Sequence, residues 1–130
     1  MPQKALRILI ADPQHFYRMT LERSFNRLGY FRIAPVRHLA ELLTLVERDC
    51  GAFDVVAANA GLAAGSMDLA DFLCDNPRVR HALVYNAPAS TVAGFACRPI
   101  RISEAQLPDI RQIERLMAQI EEAVGQAVGV

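Results

Sequence analysis

The chain switches repeatedly between two hydrophobic periods, and that alternation limits its fold more than any single motif. Leu6-Arg7-Ile8-Leu9-Ile10-Ala11 is a short, branched, apolar run. It is too short for a buried helix and reads as a central strand of a parallel sheet. Asp12-Pro13 ends it. Over residues 14–28 the period changes: Tyr17, Leu21, Phe25 and Leu28 fall three or four apart, which makes one apolar helical stripe. Gly29 stands where a helix C-terminal glycine belongs.

The switch recurs along the chain. Tyr30 to Val36 reads as a second strand, and Pro35, which cannot donate to a ladder, places it at a sheet edge. Leu39, Leu42, Leu43 and Val46 form a second helix, closed by Cys50-Gly51. Phe53 to Ala58 is a third strand with an exit turn at Asn59-Ala60-Gly61. Met67 to Cys74 is a third helix, ended by Asn76-Pro77. Ala82 to Tyr85 is a fourth strand and Phe95-Ala96-Cys97 a weak fifth. Ile110, Ile113, Met117, Ile120 and Val124 mark the C-terminal helix. Pro108 suits its first turn, so the helix is expected to start near residue 108; Ser103-Glu104-Ala105-Gln106 resembles a capping box and implies a separate short turn before it. The reading is one domain over residues 1–130, with residues 103–130 as its C-terminal helical segment.

Strands alternating with helices imply βαβ units, a parallel sheet and helices on both faces. The length of 130 residues leaves no room for a second folded unit, so no DNA-binding or catalytic output domain is expected after residue 125. Hydrophobic residues make up 52% and charged residues 22%, which excludes a disordered chain. The formal net charge is zero, so charge makes no case for nucleic acid or an anionic membrane as partner. No apolar run approaches the ~18 residues of a membrane span, and no secretory signal opens the chain, so the expected compartment is the cytoplasm. Cys50, Cys74 and Cys97 share no ligand spacing and are odd in number, so they read as free packed thiols.

In open parallel sheets the working residues lie beyond the carboxyl ends of the strands. That rule selects Asp12, Asn59, Asn86 and Arg98. No histidine spacing suggests a metal site, and neither a P-loop nor a G-x-G-x-x-G is present, so no metal and no cofactor is expected. Asp54 lies at the opposite end of its strand, ~16 Å from those positions.

These positions carry a resemblance. Leu6 to Arg18 is similar to the opening strand, acidic pocket and first helix of bacterial response-regulator receiver domains. Phe53 to Asn59 resembles the strand ending in their phosphoacceptor aspartate, and Leu83 to Ala87 the strand ending in Thr/Ser-Ala. Phe95 to Ile100 resembles their aromatic-x-x-Lys-Pro segment. The resemblance implies an α/β, flavodoxin-like (CheY-like) three-layer sandwich with a five-stranded parallel sheet in the order 2-1-3-4-5. It also implies a degenerate phosphorylation site. Asn59 stands where the family has its acceptor, Pro13 replaces the second acidic residue beside Asp12, Asn86 replaces Thr/Ser, and Arg98 replaces Lys. An amide is a poor nucleophile, and one carboxylate is a weak offer to magnesium. Asp12 could instead serve only as a turn or cap acceptor, and Asn59 and Asn86 are ordinary loop residues.

The implied function is a non-catalytic signalling module of a two-component or related pathway, working by protein–protein contact. The alternatives are an atypical phosphoacceptor response regulator, or a small flavodoxin-like ligand-binding protein or enzyme. Two structural expectations follow from the resemblance. Arg98 should contact Asp12. Only eight residues separate Asn86 from Phe95, fewer than the ~10–12 of a parallel crossover, so the family's fourth helix should be shortened or missing. The face so uncovered, near Tyr85, Val92 and Phe95, is expected to be an interaction surface. A homodimer using the C-terminal helix is the simplest occupant.

Overall fold

The chain forms β1 (Ile8–Ala11), α1 (His15–Arg27), β2 (Ile33–Val36), α2 (Leu39–Arg48), β3 (Val55–Asn59), a short 3-10 helix (Ala60–Ala63), α3 (Leu69–Asp75), β4 (Ala82–Tyr85), β5 (Ile100–Ile102) and α4 (Ile110–Val128). The computed structural model describes residues 5–48, 52–63, 67–89 and 100–128, with side chains described up to Glu122. All five strands lie in one sheet ordered β2-β1-β3-β4-β5, and every pairing is parallel. This is the expected order, with the proline-bearing β2 at an edge.

The sheet separates two cores because strand side chains alternate between faces. Leu9, Ala11, Val56, Ala58 and Val84 pack on one face against Leu42 and Val46 of α2 and Leu69 and Leu73 of α3. Ile8, Ile10, Val55, Ala57, Leu83 and Tyr85 pack on the other against Leu21 and Phe25 of α1 and Ile113, Met117 and Ile120 of α4. The central strands are buried on both faces, so they read as continuous apolar runs. Each large side chain so buried contributes about 1.5–3 kcal/mol.

Helix ends follow local chemistry. Gly29 closes α1 with φ at 97°, a left-handed conformation open to glycine at little cost. Its N–H donates to the Asn26 carbonyl at 3.0 Å. The α4 start falls close to the position near residue 108 that Pro108 suggested, and its capping box is Asp109–Gln112: Gln112 N–H donates to Asp109 Oδ1 at 2.9 Å and Asp109 N–H to Gln112 Oε1 at 3.0 Å. Ser103 Oγ accepts the Ala105 N–H at 3.1 Å in a local turn. The helix therefore occupies residues 110–128, and residues 103–109 form the loop that leads into it.

Two expectations change. The fifth strand of the sheet is Ile100–Ile102, and it continues beside β4 as Ser103 N–H donates to the Val84 carbonyl at 2.8 Å; Phe95–Cys97, where a weak fifth strand was expected, lies outside the described residues. The β4–β5 crossover thus runs from Asn86 to Pro99, longer than the ~10–12 residues such a connection needs. The length argument against a helix in the crossover no longer holds. Residues 90–99, which include Val92, Phe95 and Arg98, lie outside the described residues. Cys74 is disulfide-bonded and so is not the free thiol expected; Cys50 and Cys97 lie outside the described residues.

Phe25 is fully buried and Phe16 is 64% exposed, about two and a half turns apart on the same helix and so on opposite faces. Phe25→Ala should cost about 3–5 kcal/mol in urea denaturation, whereas Phe16→Ala should change stability by no more than about 0.5 kcal/mol.

Candidate functional site

The carboxyl ends of β1, β3 and β4 meet in a buried polar network built on Asp12. This carboxylate has no solvent exposure, a position that costs several kcal/mol unless donors replace water. Three donors do so. Oδ1 accepts the Gln14 N–H at 2.8 Å. Oδ2 accepts Asn59 Nδ2 at 3.0 Å and the Tyr85 hydroxyl at 2.8 Å. The two roles weighed for Asp12, turn acceptor and polar-site residue, are thus divided between its two oxygens.

The residues arrive there for local reasons. Asp12 follows the last residue of β1, and its own N–H is held by the Val36 carbonyl at 3.1 Å. Asn59 is the last residue of β3 and is 4% exposed. Its Oδ1 accepts the Gly61 N–H at 2.8 Å and Asn86 Nδ2 at 3.2 Å. The amide orientation is determined by its neighbours: a backbone N–H can only donate, so Oδ1 faces Gly61, and Nδ2 faces the acceptor-only carboxylate. A Cβ at Gly61 would stand 3.2 Å from Asn59 Oδ1, so a side chain there would press on this turn.

Asn86 has φ at 56°. This left-handed conformation is tolerated by asparagine and strained for a β-branched residue. Its N–H donates to the Ala105 carbonyl at 2.7 Å, and the Ala87 N–H to the Ser103 carbonyl at 3.0 Å. The segment that β5 delivers to this end is therefore Ser103–Ala105. Arg98, expected here, precedes β5 in the chain and lies outside the described residues. A different cation reaches Asp12: Arg18 Nη1 donates to its backbone carbonyl at 2.8 Å. Pro13 is exposed and offers no side-chain oxygen.

Tyr85 is a correction. Expected at an exposed interface, it is fully buried, because its odd position in β4 turns it toward α1 and α4 with Leu83. Its hydroxyl then reaches Asp12. Burial first, and the bond to and charge of Asp12 next, push the phenol well above its ordinary range, so it stays a neutral donor. The sequence signal was a single tyrosine ending an otherwise aliphatic strand. Gly61 was legible only as part of an exit turn.

The family's magnesium site can be tested against this geometry. A hard cation needs several oxygen lone pairs. Here each Asp12 oxygen already faces N–H or O–H donors, the second acidic position is Pro13, and Asn59 directs its N–H rather than its oxygen at the carboxylate. These residues do not fit the ion. Among the described residues, no group of three His, Cys, Asp or Glu side chains could hold a metal.

No family model matches the chain, and no curated protein does. Solved structures do match. A response regulator receiver domain from Clostridium thermocellum superposes with a TM-score of 0.70 at 12% identity, covering 94% of this chain and 98% of that one. The signal receiver domain of an HD domain-containing protein from Pseudomonas fluorescens Pf-5 gives 0.64 at 19% identity, covering 91% and 95%. A response regulator from Burkholderia pseudomallei, solved with a phosphorylated aspartic acid, calcium ion and citrate, gives 0.62 at 16% identity, covering 94% and 72%. The chain has the CheY-like receiver fold. At these identities the likeness concerns the fold alone.

Tyr85→Phe keeps the ring and deletes one donor to a buried carboxylate. It should lower stability by about 1.5–3 kcal/mol, read as a shift in the urea midpoint. Asn59→Asp sets a second carboxylate against Asp12 where an amide N–H had been, and should cost about 3 kcal/mol at pH 7. The two acids would share a proton in the fold, which raises the pair's folded pKa above the ~3.9 of unfolded aspartate. The native state then binds more protons than the unfolded state between those values. Stability of this variant should recover as pH falls through that window, and a urea midpoint insensitive to pH between 7 and 4 would contradict the coupling.

Proposed function

We propose that this chain is a receiver-like signalling module that is non-catalytic, takes no phosphoryl group and acts by contact with another protein. The observation that carries this reading is the engagement of both ends of the Asn59 amide inside a buried network, at the position where the resemblance places the acceptor aspartate. Acyl-phosphate formation needs a carboxylate nucleophile and a cation to offset charge on the transferred group. Asn59 withholds the first. Pro13 offers no ligand, and Asp12, whose two oxygens already accept three hydrogen bonds, is a weak one.

The network supports a fixed state rather than a switched one. It links the exits of β1, β3 and β4 through bonds that need no ligand, and none of the described buried side-chain polar atoms lacks a partner. The partner in this proposal is a protein of a signalling pathway. Neutral net charge gives no support to nucleic acid as partner, and no helix among the described residues is long and apolar enough to cross a membrane. A homodimer packed through Tyr85 is not part of the reading, because that ring is in the core.

Incubation with acetyl phosphate and magnesium, followed by intact mass measurement, should show no added phosphoryl group. Beryllofluoride should leave the amide NMR spectrum unchanged. Asn59→Asp alone should restore little, since Pro13 still supplies no metal ligand. A phosphoryl adduct on the unmodified chain, lost on mutation of Asp12 or Asp54, would sink this reading.

A further inference from the structure

Asn86 is where the buried network reaches the surface. The residue is exposed, whereas Asn59, Asp12 and Tyr85 behind it are buried. Among the described residues it is also the one non-glycine with a positive φ, a conformation that persists where its surroundings over-determine it. The hydrogen bonds at the end of β4 show what that conformation does. Val84 pairs with Ile102, and the Val84 carbonyl accepts the Ser103 N–H at 2.8 Å. A parallel ladder carried one step further would set the Asn86 N–H on the Ser103 carbonyl. That carbonyl instead accepts the Ala87 N–H at 3.0 Å, and the Asn86 N–H passes to the Ala105 carbonyl at 2.7 Å. One extra residue on one strand is a β-bulge, a device that ends pairing and re-aims a side chain. Here it ends the β4–β5 ladder and leaves Asn86 Nδ2 on Asn59 Oδ1 at 3.2 Å.

The bulge also holds the segment that joins β5 to α4. The Ser103 and Ala105 carbonyls are both bound to the exit of β4, and the far end of the segment is fixed by the Asp109–Gln112 cap. Between them Leu107 packs on the core shared by α1 and α4, and Pro108 is buried. Glu104 and Gln106 are exposed. The brace behind the bulge points one way only. Asn59 Nδ2 donates to Asp12, and its Oδ1 also accepts the Gly61 N–H. Turning the amide over would set its oxygen against a carboxylate and its NH2 group against a backbone N–H.

We infer that Asn86 is a positioning residue: braced by Asn59, it holds the bulge and so sets the course of residues 103–109, the exposed loop whose shape the buried network controls. The inference deepens the proposed function, because it names the surface that the fixed network shapes, and it rests on that reading. A side chain that acts through another residue leaves a signature. Disturbing Asn59 from a third element must move the loop, although that element does not belong to it.

Two variants separate the brace from the backbone. Asn86→Gly keeps the left-handed conformation and removes the side-chain bond. Asn86→Asp keeps a residue tolerant of that conformation but sets an acceptor against Asn59 Oδ1. In both, hydrogen-exchange protection of the Ala87 and Ser103 N–H groups should fall about fivefold, the worth of one typical hydrogen bond. The amide NMR signals of Ser103 to Leu107 should move, and protection in β1 and β3 should hold. The third variant disturbs Asn59 from the turn after β3. A Cβ at Gly61 would stand 3.2 Å from Asn59 Oδ1 and 3.7 Å from Asn86 Nδ2, so Gly61→Ala should move the same loop signals. Unchanged loop signals in any folded variant of the three overturn the inference. A fall in protection spread evenly over the chain marks plain loss of stability and also overturns it. A phosphoryl adduct in the mass measurement would defeat the proposed function and leave these exchange results standing, so the two failures are distinguishable.

Discussion

A carboxylate removed from water at the centre of the sheet's carboxyl edge requires donors, and the geometry around it follows from that requirement. Asp12 receives one backbone N–H from its own turn, one amide from β3 and one phenol from β4. These bonds tie three adjacent strand exits together. They also commit Asn59, which in turn holds Gly61 and Asn86 through its carbonyl oxygen. An isolated ionised group in such a place would be driven to neutralise. Three donors make the charge tolerable and assign each neighbour a single orientation.

The two ends of the sheet are consequently unlike. At the carboxyl end the acid is enclosed, and the groups bonded to its carboxylate are neutral donors. At the amino end the strands open onto Arg7, Arg32 and Arg80, with Asp54 as their acid and an exposed phenylalanine beside them. Receiver folds are expected to work from their carboxyl edge, where the topology brings loops together. In this chain the Asp12 network at that edge is internally satisfied. Function has to be argued from such sites rather than from the fold that carries them.

Much of the architecture was legible because periodicity is a local property. Ile8 to Ala11, Val55 to Asn59 and Ala82 to Tyr85 are apolar without alternation, as strands covered on both faces must be. Pro35 marked the edge strand, and Gly29 marked the end of α1. The fifth strand of the sheet lies a few residues beyond the expected segment. Phe95-Ala96-Cys97 and Ile100-Arg101-Ile102 are both short and β-prone, and only the pairing of Ile100 with Ala82 distinguishes them. Moving the strand five residues onward lengthened the crossover and removed the reason for expecting an uncovered face.

Asp12, Asn59 and Asn86 could be chosen from the sequence because each follows or ends a strand, and strand ends converge by topology. What the sequence determined by itself was therefore the order of elements, the edge strand and the absence of an acid at the third strand's exit. The tertiary structure decided the contacts. It turned Tyr85 inward, placed its hydroxyl on an oxygen of Asp12 from 73 positions away, and oriented the Asn59 amide by the fixed polarity of a backbone N–H. Such choices depend on which face a residue meets across the sheet and on which donors remain after the ladder has formed. Those quantities arise only when strands distant in sequence have paired.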